Sequence, residues 1–81
     1  MKPPPDPAEV AARVVARVMQ ENADHPIPWE TVHKCDHGMY AYVHLQTWRS
    51  LMIDDPKSRE EIEHALCRCA MALALLEAED E

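Results

Sequence analysis

Apolar residues recur at helical spacing from Ser58 to about Ala78 and predict one long C-terminal helix. Ser58 and Glu61 have the spacing of a capping box, which predicts that the helix begins at Ser58. The first half has a polar side, but every residue from Cys69 to Leu76 is apolar, so this half must be covered on all sides. The residues of the predicted stripe are Ile62, Ala65, Leu66, Cys69, Leu73 and Leu76.

A second helix is predicted from Asp6 to about Glu21. Asp6 is a good N-cap, and Pro7 suits the first helical position because proline has no amide hydrogen to leave unpaired. Valine and methionine then form a wide apolar face at positions 10, 14, 15, 18 and 19. The segment 22–26 ends the helix, because the residue before Pro26 is pushed out of helical geometry.

The middle segment, 29–45, alternates in a way that favours a β-hairpin. Asp36-His37-Gly38 fits a three-residue loop with glycine at the position that needs a positive φ. The same register pairs Trp29 with Leu45 and leaves one mostly apolar face. The predicted fold class is therefore α+β: an N-terminal helix, a central β-hairpin, a short helix and the long C-terminal helix.

The alternative is an all-α helical bundle with one helix through residues 39–53. Ala41, Leu45, Trp48 and Met52 have helical spacing, and a single glycine in the chain suits such a fold. Whether this segment is a strand followed by a short helix or one helix stays open. In both versions Asp54-Asp55-Pro56 is expected to end the element.

The length of 81 residues predicts one domain, assigned to residues 6–78, with a flexible proline-rich tail at 1–5 and an acidic tail at 79–81. A chain of this size buries only about 60–65% of its unfolded surface, so oligomerisation is expected. The fully apolar part of the C-terminal helix is where we expect a homodimer interface. Its predicted residues are Met71, Leu75 and Leu76.

The net charge of −7 shapes the expected partner. Residues 58–81 alone carry two basic and seven acidic side chains, and lysine and arginine cluster nowhere, which argues against direct binding to nucleic acid. A protein with a basic surface, as in a nucleic-acid-handling complex, is the expected partner. The residues predicted to contact it are Glu30, Tyr40, Tyr42, His44, Glu77, Glu79 and Asp80.

The expected location is the cytoplasm. The N-terminal segment lacks the apolar region of a signal peptide, and three cysteines without an export signal suggest free thiols in a reducing compartment. The longest apolar run, Cys69–Leu76, is far shorter than the ~20 residues that span a bilayer. No membrane contact is expected.

Two chemistries can be considered for the histidines and cysteines. His33, Cys35, His64 and Cys67 could supply a Cys₂His₂ zinc site, although their spacing matches no common zinc motif. Cys35 could act as a nucleophile with His33 or His37 as base, but no oxyanion-binding motif accompanies it. We therefore predict no metal, no cofactor and no enzymatic activity.

The predicted function is that of a small, acidic, regulatory protein-binding module that forms homodimers. The profile of a short acidic chain without catalytic motifs is similar to that of phage-encoded inhibitors of host defence, including anti-CRISPR proteins. Such a resemblance implies an inhibitor that blocks a basic surface of its target. The alternatives are a zinc-binding structural module and a dimeric transcription-regulating factor, the latter only if Arg13, Arg17 and Arg49 converge.

Overall fold

The computed structural model describes residues 2–51 and 54–80, and all regular structure in these two ranges is helical. The α-helices are α1 (Pro7–Glu21), α2 (Lys34–Ser50) and α3 (Pro56–Asp80), with a short 3-10 helix at Trp29–Thr31 between α1 and α2. No strand occurs in the described ranges. The α+β prediction with a central hairpin is therefore wrong, and the all-α alternative is correct.

Helix α1 begins and ends where its sequence predicts. The Asp6 carboxylate accepts a hydrogen bond of 3.1 Å from the amide of Ala8, and Pro7 occupies the first helical position. At the other end, the side-chain amide of Asn22 donates to the carbonyl of Val18 at 2.8 Å. Short polar side chains thus satisfy backbone groups at both ends, which would otherwise lack partners.

Helix α2 occupies the segment predicted as a hairpin. His33 is its N-cap, and the Nδ1 atom of that ring accepts a hydrogen bond of 3.1 Å from the amide of Cys35. Gly38 lies inside the helix with an ordinary negative φ. The positive φ that the predicted hairpin loop required at this glycine does not occur. His37, expected at an exposed loop tip, is completely buried. Helical spacing from His37 to Ala41, and not alternation, decides which side chains face inward.

The alternative helix over residues 39–53 is correct in type and wrong in extent. α2 begins at Lys34 and ends at Ser50. It therefore extends into the segment after the predicted hairpin, where the separate short helix was expected. Of the row that supported this alternative, Ala41 is buried, whereas Leu45 and Trp48 are each 39% exposed. Met52, the fourth residue of the row, lies outside the described residues.

Helix α3 begins earlier than the capping-box pattern predicts. The Asp55 carboxylate accepts a hydrogen bond of 2.9 Å from the amide of Lys57, and Pro56 is the first helical residue. Asp55-Pro56 therefore starts a helix in the same way as Asp6-Pro7, although it was expected to end one. Glu61, the predicted partner of Ser58 in the capping box, instead contacts Nδ1 of His44 at 2.5 Å.

Helices α2 and α3 form an antiparallel pair. Lys34 contacts Glu79, His37 contacts Arg68, and His44 contacts Glu61, so positions rising along α2 meet positions falling along α3. Ala41 and Ala65 are buried on this pair of helices, and such small side chains allow their backbones to approach closely.

Helix α1 packs on α3 and, within the described residues, not on α2. The core that joins α1 to α3 consists of the buried Val14, Val18 and Cys67. Both α1 and α2 pack on α3 but, over the described ranges, their backbones do not approach each other, and a groove lined by residues of all three helices lies between them. The partly buried apolar side chains around this core are Val10, Val15, Met19 and Met71.

Candidate protein-interaction surface

A row of apolar side chains on α3 is exposed to solvent, and we call it the outer stripe. Its residues follow one another at alternating steps of four and three, the spacing of a coiled-coil contact line. Leu73 is 60% exposed, and Cys69 carries an exposed free thiol. This part of α3 thus lacks the cover that its sequence requires. The outer stripe comprises Ile62, Leu66, Cys69, Leu73 and Leu76.

Polar contacts on the other side of α3 explain why the outer stripe faces outward. Glu63 and Arg68, two charged residues of the polar side of α3, face the other helices. The Glu63 carboxylate lies 2.5 Å from the Arg17 guanidinium of α1, and the Arg68 guanidinium lies 3.1 Å from the His37 ring of α2. Since a buried polar group without a partner is costly, these pairs hold the rotation of α3 about its axis. The outer stripe is left on the opposite side.

The predicted dimer residues are divided between the two sides of α3. Met71 is half-buried against the core of Val14 and Val18. Leu75 is half-buried beside Glu79 in a shallow depression. Leu76 is exposed and belongs to the outer stripe. The sequence does contain a signal for the other residues of the outer stripe. Apolar residues recur every three or four positions from Ile62 to Leu76, and this spacing could have identified them as interface residues.

The aromatic and histidine residues predicted to contact a partner have different environments. Tyr42 is 61% exposed, and its hydroxyl accepts a hydrogen bond from Gln46. The ring of Tyr40 lies below the Arg68 guanidinium, with 4.7 Å between Cζ and the ring centroid. His44 is occupied by its contact with Glu61 at the interface of α2 and α3. Only Tyr42 of this group presents its side chain mainly to solvent.

The acidic residues predicted for partner binding gather at one end of the molecule. Glu30 of the 3-10 helix and Glu79 of α3 line the same shallow depression. Glu79 also lies 2.5 Å from Lys34, and this hydrogen bond raises the pKa of the lysine. Glu77 and Asp80 are exposed in the last turn of α3. We call the group Glu30, Glu77, Glu79 and Asp80 the acidic end.

The four zinc candidates are not brought together. His33 caps α2, Cys35 is exposed beside it, and Cys67 is buried in the core, where burial raises the pKa of its thiol. His64 lines the same groove as His33 and Cys67, and its ring lies 5.3 Å from that of His44. Across residues 2–51 and 54–80, no group of three or more His, Cys, Asp or Glu side chains is placed to hold a metal ion.

The arginines named for the transcription-factor alternative lie on separate helices. Arg13 and Arg17 belong to α1, and Arg17 is engaged by Glu63 and Glu21. Arg49 is in the last turn of α2. Because α1 and α2 do not pack together in the described chain, the fold does not join these residues through a helix contact.

Comparison of the chain with models of protein families, with curated proteins and with solved structures finds no match in any of the three. None of the helices in the described part of the chain combines the length and the apolar character needed to cross a membrane.

Proposed function

We propose that this protein is a non-enzymatic binding module that forms a homodimer through the outer stripe. The observation that supports the proposal is the exposure of the outer stripe along its whole length. From Ile62 to Leu76 the stripe covers about 21 Å at 1.5 Å per residue. Exposed apolar rows of this length and regularity are typical of protein interfaces. The partner proposed here is a second copy of α3.

The stripe is self-complementary when two copies run antiparallel. Ile62 precedes Cys69 by seven residues, and Leu76 follows it by seven. A two-fold axis at Cys69 would thus place Ile62 of one copy opposite Leu76 of the other. Leu66, three residues before Cys69, would lie within one residue (about 1.5 Å) of the level of Leu73 of the other copy, four residues after it, so the apolar side chains of the two stripes would still pack on one another.

Charges beside the stripe also favour the antiparallel arrangement. Arg59 and Glu77 lie eighteen residues apart, which is five turns of helix, so both flank the stripe on the same row. Asp80 follows at the same end as Glu77. An antiparallel pair brings Arg59 of one copy to these carboxylates of the other. A parallel pair would instead place the two sets of carboxylates together, which repel each other.

The proposed dimer presents its acidic ends to a second protein. A net charge of −7 per chain, with four carboxylates gathered at the acidic end, suits a partner with a basic surface. Masking the basic surface of a nucleic-acid-handling protein would make the module a regulator or inhibitor. This part of the proposal is supported by the charge distribution and needs no cofactor.

Light scattering and disulfide trapping test the dimer. The three cysteines lie in different places: Cys69 on the stripe, Cys35 exposed on α2, and Cys67 buried. We expect twice the chain mass at micromolar concentration. Mild oxidation with diamide should then link two chains in the wild type and in Cys35→Ser, but not in Cys69→Ser.

Two results would overturn the dimer proposal. One is a monomeric mass for the reduced protein at every concentration tested. The other is cross-linking that persists in Cys69→Ser and disappears in Cys35→Ser, since this would locate the contact on α2. Because both variants change one exposed thiol to a hydroxyl, each is the matched control of the other.

Binding to a polylysine peptide tests the acidic end. Glu30→Lys and Glu9→Lys change the net charge equally, but only Glu30 belongs to the acidic end. We expect Glu30→Lys to weaken binding more than Glu9→Lys at moderate salt. Equal weakening would mean that total charge, and not this end of the molecule, attracts basic partners.

A further inference from the structure

The groove between α1 and α2 contains a guanidinium group on its floor. Side chains from all three α-helices and from the 3-10 helix line this groove, whose volume of about 990 Å³ is that of a ligand site. Arg68 of α3 is half-buried here, on the side of α3 opposite to the outer stripe. Among the residues that line the groove are Met19, Trp29, Tyr40, Arg68 and Met71.

Arg68 is held in place from two sides. Its Nη1 atom lies 3.1 Å from Nδ1 of His37, and its Cζ atom lies 4.7 Å above the ring of Tyr40. The other ring nitrogen of His37, Nε2, lies 2.9 Å from the carbonyl of Trp29. A carbonyl can only accept, so Nε2 carries the hydrogen and Nδ1 accepts from the guanidinium. The orientation of Arg68 is therefore set before any ligand arrives.

The remaining donors of Arg68, which lines the groove, have no acceptor among the described residues. Although the chain has 15 acidic residues, no carboxylate within the described ranges lies within 4.0 Å of Arg68. His37 is the one hydrogen-bond acceptor that Arg68 has in this part of the structure. No buried side-chain nitrogen there lacks a partner, so the other N–H groups are open to solvent. A fixed guanidinium with free donors is suited to bind a carboxylate in two-point fashion.

The surroundings of Arg68 select among anions. Met19, Met71 and Trp29 line the same groove and give it apolar surface. Glu30 and Asp36 line the same groove and oppose a second negative charge. We propose that this groove binds a small monocarboxylate, with its apolar body on the methionines and Trp29 and its carboxylate on Arg68. A second negative charge on the ligand, as on phosphate, is expected to weaken binding because of these two carboxylates.

A fluorescence titration with 4-phenylbutyrate tests the proposal. In a Trp48→Phe background, Trp29 is the remaining tryptophan and reports on the groove. We expect a saturable change in its emission. Arg68→Met should weaken binding by at least about tenfold, because a charge-assisted pair of hydrogen bonds is lost. Arg49→Met removes the same charge away from the groove and should leave the affinity unchanged.

The same titration includes two further probes. Uncharged 4-phenylbutanol and inorganic phosphate should each bind at least about tenfold more weakly than 4-phenylbutyrate. Should Arg68→Met not fold, as judged by circular dichroism, Arg68→Lys makes the comparison, since it keeps the charge and loses the planar fork. Weaker binding is expected there too.

Three results would overturn the monocarboxylate site. The first is no saturable change with 4-phenylbutyrate. The second is equal affinity in Arg68→Met, or in Arg68→Lys where that variant is used, and in Arg49→Met, which would leave only apolar adsorption. The third is phosphate binding as tight as 4-phenylbutyrate. The site does not depend on dimerisation, because the outer stripe lies on the other side of α3.

Discussion

The two sides of α3 differ in how completely their side chains are satisfied. On the groove side, Glu63 meets Arg17, and Arg68 meets His37 and Tyr40. On the outer side, the four large apolar side chains of the stripe, Ile62, Leu66, Leu73 and Leu76, are between 36% and 60% exposed. Each of these polar side chains is thus held by at least one partner inside the monomer, whereas the apolar row is only partly covered. The difference suggests that the monomer is one half of the stable assembly.

The free-energy cost of rotating α3 the other way explains why the outer stripe faces solvent. Turning α3 by half a rotation would bury the stripe but expose its polar pairs or bury them without partners. An unpaired buried donor or acceptor costs about 1–3 kcal/mol, and more when it is charged. A second copy can cover the stripe without disturbing these pairs, so association satisfies both sides of the helix.

The largest expected effect follows from placing a charge on the outer stripe. We expect Leu73→Glu to weaken dimerisation roughly a hundredfold or more, because the dimer would bury an unpaired carboxylate. Sedimentation equilibrium measures the change. Val43→Glu is the control, since Val43 is 50% exposed on α2 and lies outside the stripe. A dimer that survives Leu73→Glu would remove the proposed contrast between the two sides.

Removing His37 should produce the next largest effect, on the groove side. His37→Ala deletes the acceptor for Arg68 and the donor to the Trp29 carbonyl, and leaves a cavity at a fully buried position. We expect the free energy of unfolding to fall by about 2–4 kcal/mol. Urea denaturation at a fixed protein concentration measures it. Met39→Ala, 55% exposed on the same helix, should change stability little, and an equal loss would contradict the assigned role of His37.

The contrast between Asp6-Pro7 and Asp55-Pro56 shows what the sequence could predict. The first pair was identified as a helix start because an unbroken apolar pattern follows it. The second pair has the same hydrogen bond but follows another possible element, so it was interpreted as a stop. A proline after an aspartate is compatible with both meanings. A helical apolar pattern follows both pairs, so what misled the prediction was the element that precedes Asp55-Pro56.

His37 shows what the sequence could not predict. Its burial depends on three partners, namely Arg68, the Trp29 carbonyl and the Trp29 ring, which are brought together only by the fold. As the middle residue of Asp-His-Gly it satisfied the local rules for a turn equally well. The outer stripe, in contrast, was visible as a periodic row. Only its orientation required the polar pairs of Glu63 and Arg68, which are distant in sequence from their partners.

Reversing the charge of Arg59, beside the outer stripe, should weaken dimerisation moderately. The same change tests whether the two helices of the dimer run antiparallel. Arg59→Glu is expected to weaken dimerisation several-fold, since it replaces attraction by repulsion at the edge of an interface. Combining it with Glu77→Arg should restore much of the affinity if the helices are antiparallel. Sedimentation equilibrium at low and high salt measures both variants. No rescue in the double variant would indicate another arrangement of the two helices.

The smallest expected effect concerns the groove side and its response to acid. The hydrogen bond from the Arg17 guanidinium holds the pKa of Glu63 below its ordinary value of about 4.5. The stabilising contribution of this carboxylate is complete above that value and is lost as the pH falls through the lowered pKa. Thermal unfolding between pH 7 and pH 3 should therefore show a smaller loss of stability in Glu63→Gln than in the wild type. Glu9→Gln, an exposed change on α1, should retain the wild-type dependence of stability on pH. If Glu63→Gln also retained it, the contact between Glu63 and Arg17 would contribute nothing to the stability of the fold.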